Sequence, residues 1–525
     1  MQNAKLLTFA GLLVATAFAG CAGTTDTSTT TTQPPAPAMP YVLDCAIANW
    51  NETCLALASN NPSISKAEID LAVNPKDSMN VVVASKDRDA LASSRNGQPC
   101  VWAVAQYTKD GGKHWNTTYV GKKLADRMPG DALYGWQCIT DPILAFEPDG
   151  TLHYSLQAYA YRPLPGGDPT CASPAGCALP EGGFMYQAIS HDGGATFPQI
   201  LLMHVGDETA IFHDFMRMGV NPVTGTTFTL WDQLTGGVSS QVVMVGVDHA
   251  QTQVSRPPVY FPNQISPLGL GAGAVFGVAD GSAKGITYAW LAGFNSGGLA
   301  VLAKSTDDGM TFGTPKQVFT WTGMDGLEKH GDYTPKYRTG TLVELAADQT
   351  TTSAHKGCLY AVWGGKETVD GNATVGPSDI YVRRSCDKGD TWSAPVLVNT
   401  LHREDGQWMP RVSVDGQGTV HVVYLSRAYD PDHNLIDAEH AYSMDGGMNW
   451  TTERVTSMSF DGNLGIHQDG FPFIGDYIGI GSAGDHTYMG FPDTISGKAE
   501  IAVAHSMFQE DRMSVTVAAS AGPHL

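Results

Sequence analysis

Side chains able to do acid–base or anion-binding chemistry recur in this 525-residue chain at the starts of short apolar segments that lie far apart in sequence. They are Asp141, His213 with Asp214, Arg217, His330 with Asp332 and Tyr333, Arg338, Arg411, His467 with Asp469, and Asp476 with Tyr477. Brought to one place, the carboxylates could act as acid and base on a glycosidic bond, and the arginines could hold anionic or hydroxyl groups in a fixed geometry. The alternative is structural, with Asp and Arg satisfying backbone groups and one another between units. Asp and His in proximity could also take Ca2+ through oxygen ligands. No linear loop has the spacing that such a site needs, and no Cys-x-x-Cys or His-x-x-x-His pair occurs, so no metal or other cofactor is assigned.

The elements that must position these groups read as all-β. Beyond residue 40 the chain is a succession of Val/Ile/Tyr/Trp runs punctuated by Gly, Pro, Asn and Asp, with little helical periodicity. Seven unit starts can be found: Ile69–Val73, Pro142–Phe146, Phe215–Val220, Ala274–Val278, Tyr337–Leu342, Pro410–Val414 and Tyr477–Ile480. Five copies of Ser/Thr-x-Asp-x-Gly-x-x-Trp/Phe punctuate the units, beginning at Thr108, Ser190, Ser305, Ser385 and Ser443. Each reads as a tight turn whose Asp accepts turn N–H groups, whose Gly takes a positive φ and whose aromatic ring plugs the turn onto a sheet. The interval from Asp192 to Asp307 is about twice that from Asp387 to Asp445, so a unit with a decayed turn, near Val247-Asp-His-Ala, is expected inside it. A β-propeller of four-stranded blades follows, seven favoured and six the alternative, as one domain over residues 41–525, because blades bury their faces only against neighbours.

The five turns resemble the Asp-box, or BNR repeat, of the sialidase superfamily, where it joins the outer strands of propeller blades. That resemblance implies a glycoside hydrolase of sialidase type, with three arginines for the substrate carboxylate, a Tyr nucleophile activated by a Glu, and an Asp acid/base. Arg338, Arg411 and Tyr477 fall on three consecutive units in the order that would supply two arginines and the nucleophile. Asp87 or Asp89 stands roughly where the acid would be, Asp476 adjoins the Tyr, and Arg217 and Asp214 are further candidates for substrate contact. The first arginine is missing, since no Phe/Tyr-Arg-Ile-Pro occurs and the first inner strand, Glu68-Ile-Asp-Leu-Ala-Val, carries none; Glu208 is only a nearby candidate for the Glu. A glycan- or protein-binding propeller without catalysis is therefore the competing expectation, as is a carboxylate-only polysaccharide hydrolase.

Residues 1–21 read as an export signal, with Lys5, an apolar run from Leu6 to Phe18 and a lipobox-like Phe-Ala-Gly-Cys that makes Cys21 the expected lipidation site. The Thr/Pro-rich segment 22–40 has little to bury and reads as a disordered stalk of ~50 Å at about 3 Å per residue. The expected location is outside a membrane, held through the lipid alone, or secreted. Of nine cysteines, the eight after Cys21 imply disulfides in that compartment. Cys358 and Cys386 should bridge paired strands; Cys171 with Cys177, Cys45 with Cys54, and Cys100 with Cys138 are paired by proximity. A formal net charge of −21 excludes nucleic acid and anionic lipid as partners of the bulk surface, leaving carbohydrate or a glycoconjugate.

Overall fold

A computed structural model describes residues 41–508, apart from 44–54, 58–65, 88–100, 124–125, 137, 164–177, 206–210, 236–237, 250–252, 263–269, 294–296, 324–333, 340–341, 367, 370–371, 374–377, 400–405 and 469–470. The lipidation site Cys21, Asp89, Glu208, the His330–Tyr333 group, Asp469, and Cys45, Cys54, Cys100, Cys171 and Cys177 thus lie outside the described residues.

Among the described residues seven antiparallel sheets follow one another along the chain, beside two short two-stranded ones, and in the first six the strands run in sequence order from the innermost outward. Their inner strands are Lys66–Asn74, Cys138–Phe146, Ile211–Val220, Leu270–Val278, Glu344–Ala347, Gln407–Val414 and Gly479–Ala483. The protein is a seven-bladed β-propeller. Alternating apolar residues interlock adjacent sheets: Tyr154 and Leu156 of the second blade share a core with Val82, Ala84 and Val104 of the first. The seventh blade is completed by the other end of the chain, since Tyr41–Leu43 and Leu55–Leu57 both pair with its third strand, Glu500–Phe508. That blade therefore has no turn from a third to a fourth strand, which is why it carries no copy of the repeated motif.

The motif's five turns share one bonding pattern, shown by the copy at Ser385, with His114 and Asn449 in place of the final Thr in the copies at Thr108 and Ser443. The Ser385 hydroxyl donates to Asp387 (2.7 Å) and accepts from the Gly389 amide (2.9 Å), while Asp387 accepts the amide and hydroxyl of Thr391 (2.9 and 2.5 Å). Those Thr391 bonds hold the Asp387 carboxyl down at about 2. The aromatic residue that ends each copy enters the core shared with a neighbouring blade: Phe197 meets Tyr154 edge-on at 5.6 Å and Trp392 meets Trp290 at 5.6 Å. In the third blade the turn after Val247 lacks the motif, as its spacing implied.

Leu359–Gly365 and Asp379–Ser385 pair with Leu359 opposite Ser385, and the flanking Cys358 and Cys386 form a disulfide. Cys138 is also disulfide-bonded. One expected start is displaced. The fifth inner strand begins at Glu344, not at Tyr337, so Arg338 sits on an irregular segment before it; the aromatic Tyr337 is drawn instead into the core beside Trp408.

Replacing Asp387 by Ala should lower the melting temperature while leaving the folded structure intact. Because the folded-state carboxyl is depressed, its contribution exists above about pH 4 and fades toward pH 2, so the gap in melting temperature between wild type and variant should narrow over that window. A gap that widens on acidification would show that the carboxylate does not hold the turn.

Candidate functional site

The site is built by a backbone device that repeats around the ring. Near its start, each of four inner strands carries one extra residue relative to its partner, between Ala67 and Asp70, Thr140 and Ile143, Asp214 and Arg217, and Trp408 and Arg411. Inside these bulges Glu68, Asp141, Phe215 and Met409 adopt positive φ values of 50–56°, and Gly475 takes 108° ahead of the seventh inner strand. Left-handed backbone at a non-glycine residue costs about 1–2 kcal/mol, and bulges next to functional sites re-aim side chains. Here they turn two tiers of ionisable groups toward the channel.

The deeper tier comes from residues two positions after the left-handed residue, together with Glu344. Arg217 donates to Glu344 (2.6 Å), and Arg411 donates to Glu344 (3.4 Å) and Asp70 (2.7 Å). Asp70 also accepts the Leu144 amide at 2.7 Å. The Arg217 guanidinium lies 4.8 Å from the centre of the Tyr477 ring. The first, third, fifth, sixth and seventh blades are thus joined by alternating charges. Burial would raise the Glu344 carboxyl, but Arg217 and Arg411 hold it below its ordinary range. For Asp70 burial wins, and its carboxyl is raised despite Arg411 and the Leu144 amide.

Tyr477 is 3% exposed, and its hydroxyl donates to the Pro142 carbonyl at 3.3 Å. No carboxylate among the described residues accepts that proton. Burial, reinforced by Glu68 and Asp141, pushes the phenol well above its usual value.

The shallower tier is a carboxyl cluster around Lys86, which reaches in from the end of the first blade's second strand, Asp77–Asp87. The ammonium pairs with Glu68 and with Asp141 at 2.9 Å. Desolvation disfavours its charge, yet Asp141 and Glu68 outweigh that and raise it. Asp141 also accepts the Thr140 hydroxyl at 2.7 Å; against the cost of burial, Lys86 and the neighbouring Glu68 and Asp214 hold its carboxyl far below the normal range. Glu68 and Asp214 move the opposite way, raised by burial and by the Asp141 charge. Within one cluster the Asp141 carboxyl is thus held low while its neighbours Glu68 and Asp214 are pushed up. Asp476 is raised by burial although Arg338 binds it at 3.0 Å. Arg338 is half exposed and lies over the Phe473 ring.

Asp141, Asp214, Arg217, Arg338, Arg411, Asp476 and Tyr477 all belong to these two tiers. His213 does not: it is buried edge-on against His204 and Trp231, where burial lowers its pKa to about 3. Asp87 pairs with Lys66 at 3.4 Å. The sequence reading passed over Glu68, Asp70, Lys86 and Glu344. A charged residue in an otherwise apolar strand was the available signal for each.

No family model matches the chain, and no curated protein matches it. Among solved structures it is similar to a protein of unknown function from Dyadobacter fermentans, at 14% identity over 87% of this chain and 98% of that one, with a TM-score of 0.44. It is also similar to the Hadza microbial sialidase Hz136 (13% identity, 80% of this chain and 75% of that one, TM-score 0.43). The intramolecular trans-sialidase from Ruminococcus gnavus, in complex with oseltamivir carboxylate, is another match (12% identity, 85% and 95%, TM-score 0.38). Scores of this size decide nothing about the chemistry of the channel, which rests on its own residues.

Proposed function

We propose that this chain is an exported, lipid-tethered, sialidase-like propeller that binds carbohydrate at its channel mouth and does not cleave it through Tyr477. The observation that carries the reading is the mutual saturation of the deep tier: Arg217 and Arg411 are committed to Glu344 and Asp70. A sialidase-type pocket needs arginines open to a substrate carboxylate and a Tyr that can lose its proton to a neighbour. Tyr477, bonded to a backbone carbonyl and with its pKa raised, is a poor nucleophile at neutral pH.

Carboxylate-only hydrolysis by the Lys86 cluster fits no better. Glu68 and Asp141 both pair with the Lys86 ammonium and are buried, so neither is open to a sugar. With Asp214, whose carboxyl burial pushes up, Asp476, and the half-exposed Arg338, the mouth offers polar groups suited to neutral sugar hydroxyls. The formal charge of −21 disfavours long-range attraction of anionic sugars. Residues 1–21 and the stalk support export, and the Cys358–Cys386 disulfide agrees with an oxidising compartment.

On a glycan array the full exported chain should retain neutral oligosaccharides, with Asp476→Asn weakening them roughly tenfold, about one lost hydrogen bond. Fluorogenic sialosides should not turn over; turnover that Tyr477→Phe abolishes would overturn the reading. Arg411→Ala should leave the buried Asp70 without its cation, Glu344 keeping Arg217, and destabilise the fold by about 3–5 kcal/mol, with neutral and anionic ligands affected alike per folded molecule. A loss confined to anionic ligands would make Arg411 a ligand contact. Metabolic labelling with palmitate should be lost in Cys21→Ala, and labelling that persists would place the lipid elsewhere.

A further inference from the structure

The turn between third and fourth strands of a blade docks on the first turn of the preceding blade. Asp308 of the fourth blade accepts from Asn221, Thr224 and Thr226 of the third at 2.7–3.0 Å, and Lys388 of the fifth meets Asp280 of the fourth at 3.2 Å. In the third blade, where the repeated motif is absent, His249 makes this contact instead. Its partners are Glu147 and Asp149, on the turn that ends the second blade's inner strand. By strand direction this junction lies at the opposite end of the blades from the channel cluster.

Three features set it apart from an ordinary surface ion pair. First, Glu147 is fully buried, and its Oε1 receives His153 Nε2 at 2.6 Å. The Gln187 amide, 2.7 Å away, donates to His153 Nδ1, which fixes the Nε2–H tautomer and turns Glu147 Oε2 outward to His249 Nδ1. A buried carboxylate oriented by a second histidine is the outer-shell support that metal-binding carboxylates use. Secondly, Asp149 is held by the Thr151 amide through Oδ1 (2.8 Å), while Oδ2 stands 3.9 Å from His249 Nε2. That is too far for a hydrogen bond, so the imidazole does not hold this carboxylate oxygen. Thirdly, a Cβ on Gly225 would lie 3.2 Å from His249 Nδ1 and 3.3 Å from Glu147 Oε2, and the glycine, at φ +72°, leaves that space open.

We propose that Glu147, Asp149 and His249 form a site for a divalent transition-metal ion of the zinc class, bridging the second and third blades. Ligand atoms of all three lie within 4.8 Å of one another. The half-exposed His249 and Asp149 are accessible to an arriving ion and can close on it by side-chain rotation. The ion takes the place of the proton between His249 and Glu147, which is released. One imidazole and two carboxylates, with water in the fourth position, suit Zn2+; Ca2+ would need six to eight oxygens, and Mg2+ prefers an all-oxygen shell.

The test uses the full chain, stripped with EDTA, dialysed, and titrated calorimetrically with ZnCl2. Wild type should bind one equivalent more than His249→Ala or Asp149→Asn, and its melting temperature should rise with Zn2+ while theirs does not. Asp280→Asn, altering an exposed acid at the comparable turn of the fourth blade, should behave as wild type. Circular dichroism of each variant establishes that it is folded. If wild type and His249→Ala bind the same number of equivalents, or if Zn2+ shifts neither melting temperature, the junction is a plain His–Glu contact and the proposal fails.

Discussion

Two guanidinium groups and two carboxylates buried at the centre hold five blades in register, because the Tyr477 ring lies beneath one of the guanidiniums. Desolvating four charges costs several kcal/mol per ion, and their mutual attraction repays it only when the geometry is met closely. This demand explains the strained bulges. A regular strand would aim Asp70, Arg217 and Arg411 elsewhere, so the chain accepts left-handed backbone at Glu68, Phe215 and Met409 to bring them together. The same displacement lifts Glu68, Asp141 and Asp214 into the tier above. Site and structural centre are thus products of one distortion, and altering either should disturb both.

The fold was legible because its signals are local. Each repeated turn is complete within eight residues, so Ser385, Asp387, Gly389 and Trp392 announce the turn by type and spacing alone, while the part played by Thr391 came from the structure. The Cys358–Cys386 bridge was legible for a related reason, the cysteines flanking two adjacent paired strands. The candidate site was only half legible. Strand starts pointed to Arg217, Arg411, Asp141 and Tyr477, but a residue type does not say which partner will saturate it. Arg411 finds Asp70 two blades on around the ring though far away in sequence, and Arg217 likewise finds Glu344. Of the readings open at the outset, mutual satisfaction accounts for the ion pairs of the deep tier, whereas above it Arg338 stays half exposed.

Arg338 shows how an irregular segment escapes pattern reading. Its run Tyr-Arg-Thr-Gly-Thr-Leu reads as a unit start, yet pairing begins only at Glu344, and Tyr337 is stacked near Trp408 in the core. The arginine consequently reaches Asp476 from outside the sheets and remains the most exposed cation of the site. His249 escaped in the opposite way. It occupies a turn defined by what it lacks, and its partners belong to another blade.

Completion of the last blade by the first strand has a kinetic consequence. Tyr41 pairs with Phe508, so the ring cannot close until nearly the whole chain is available. Contacts of such sequence separation pay their loop entropy before any reward, which slows folding. Until then the seventh blade's third strand, Glu500–Phe508, has an open edge along which another chain could pair. Domain swapping, in which one molecule's Tyr41–Leu43 completes a neighbour's ring, is the characteristic hazard of this closure when local concentration is high.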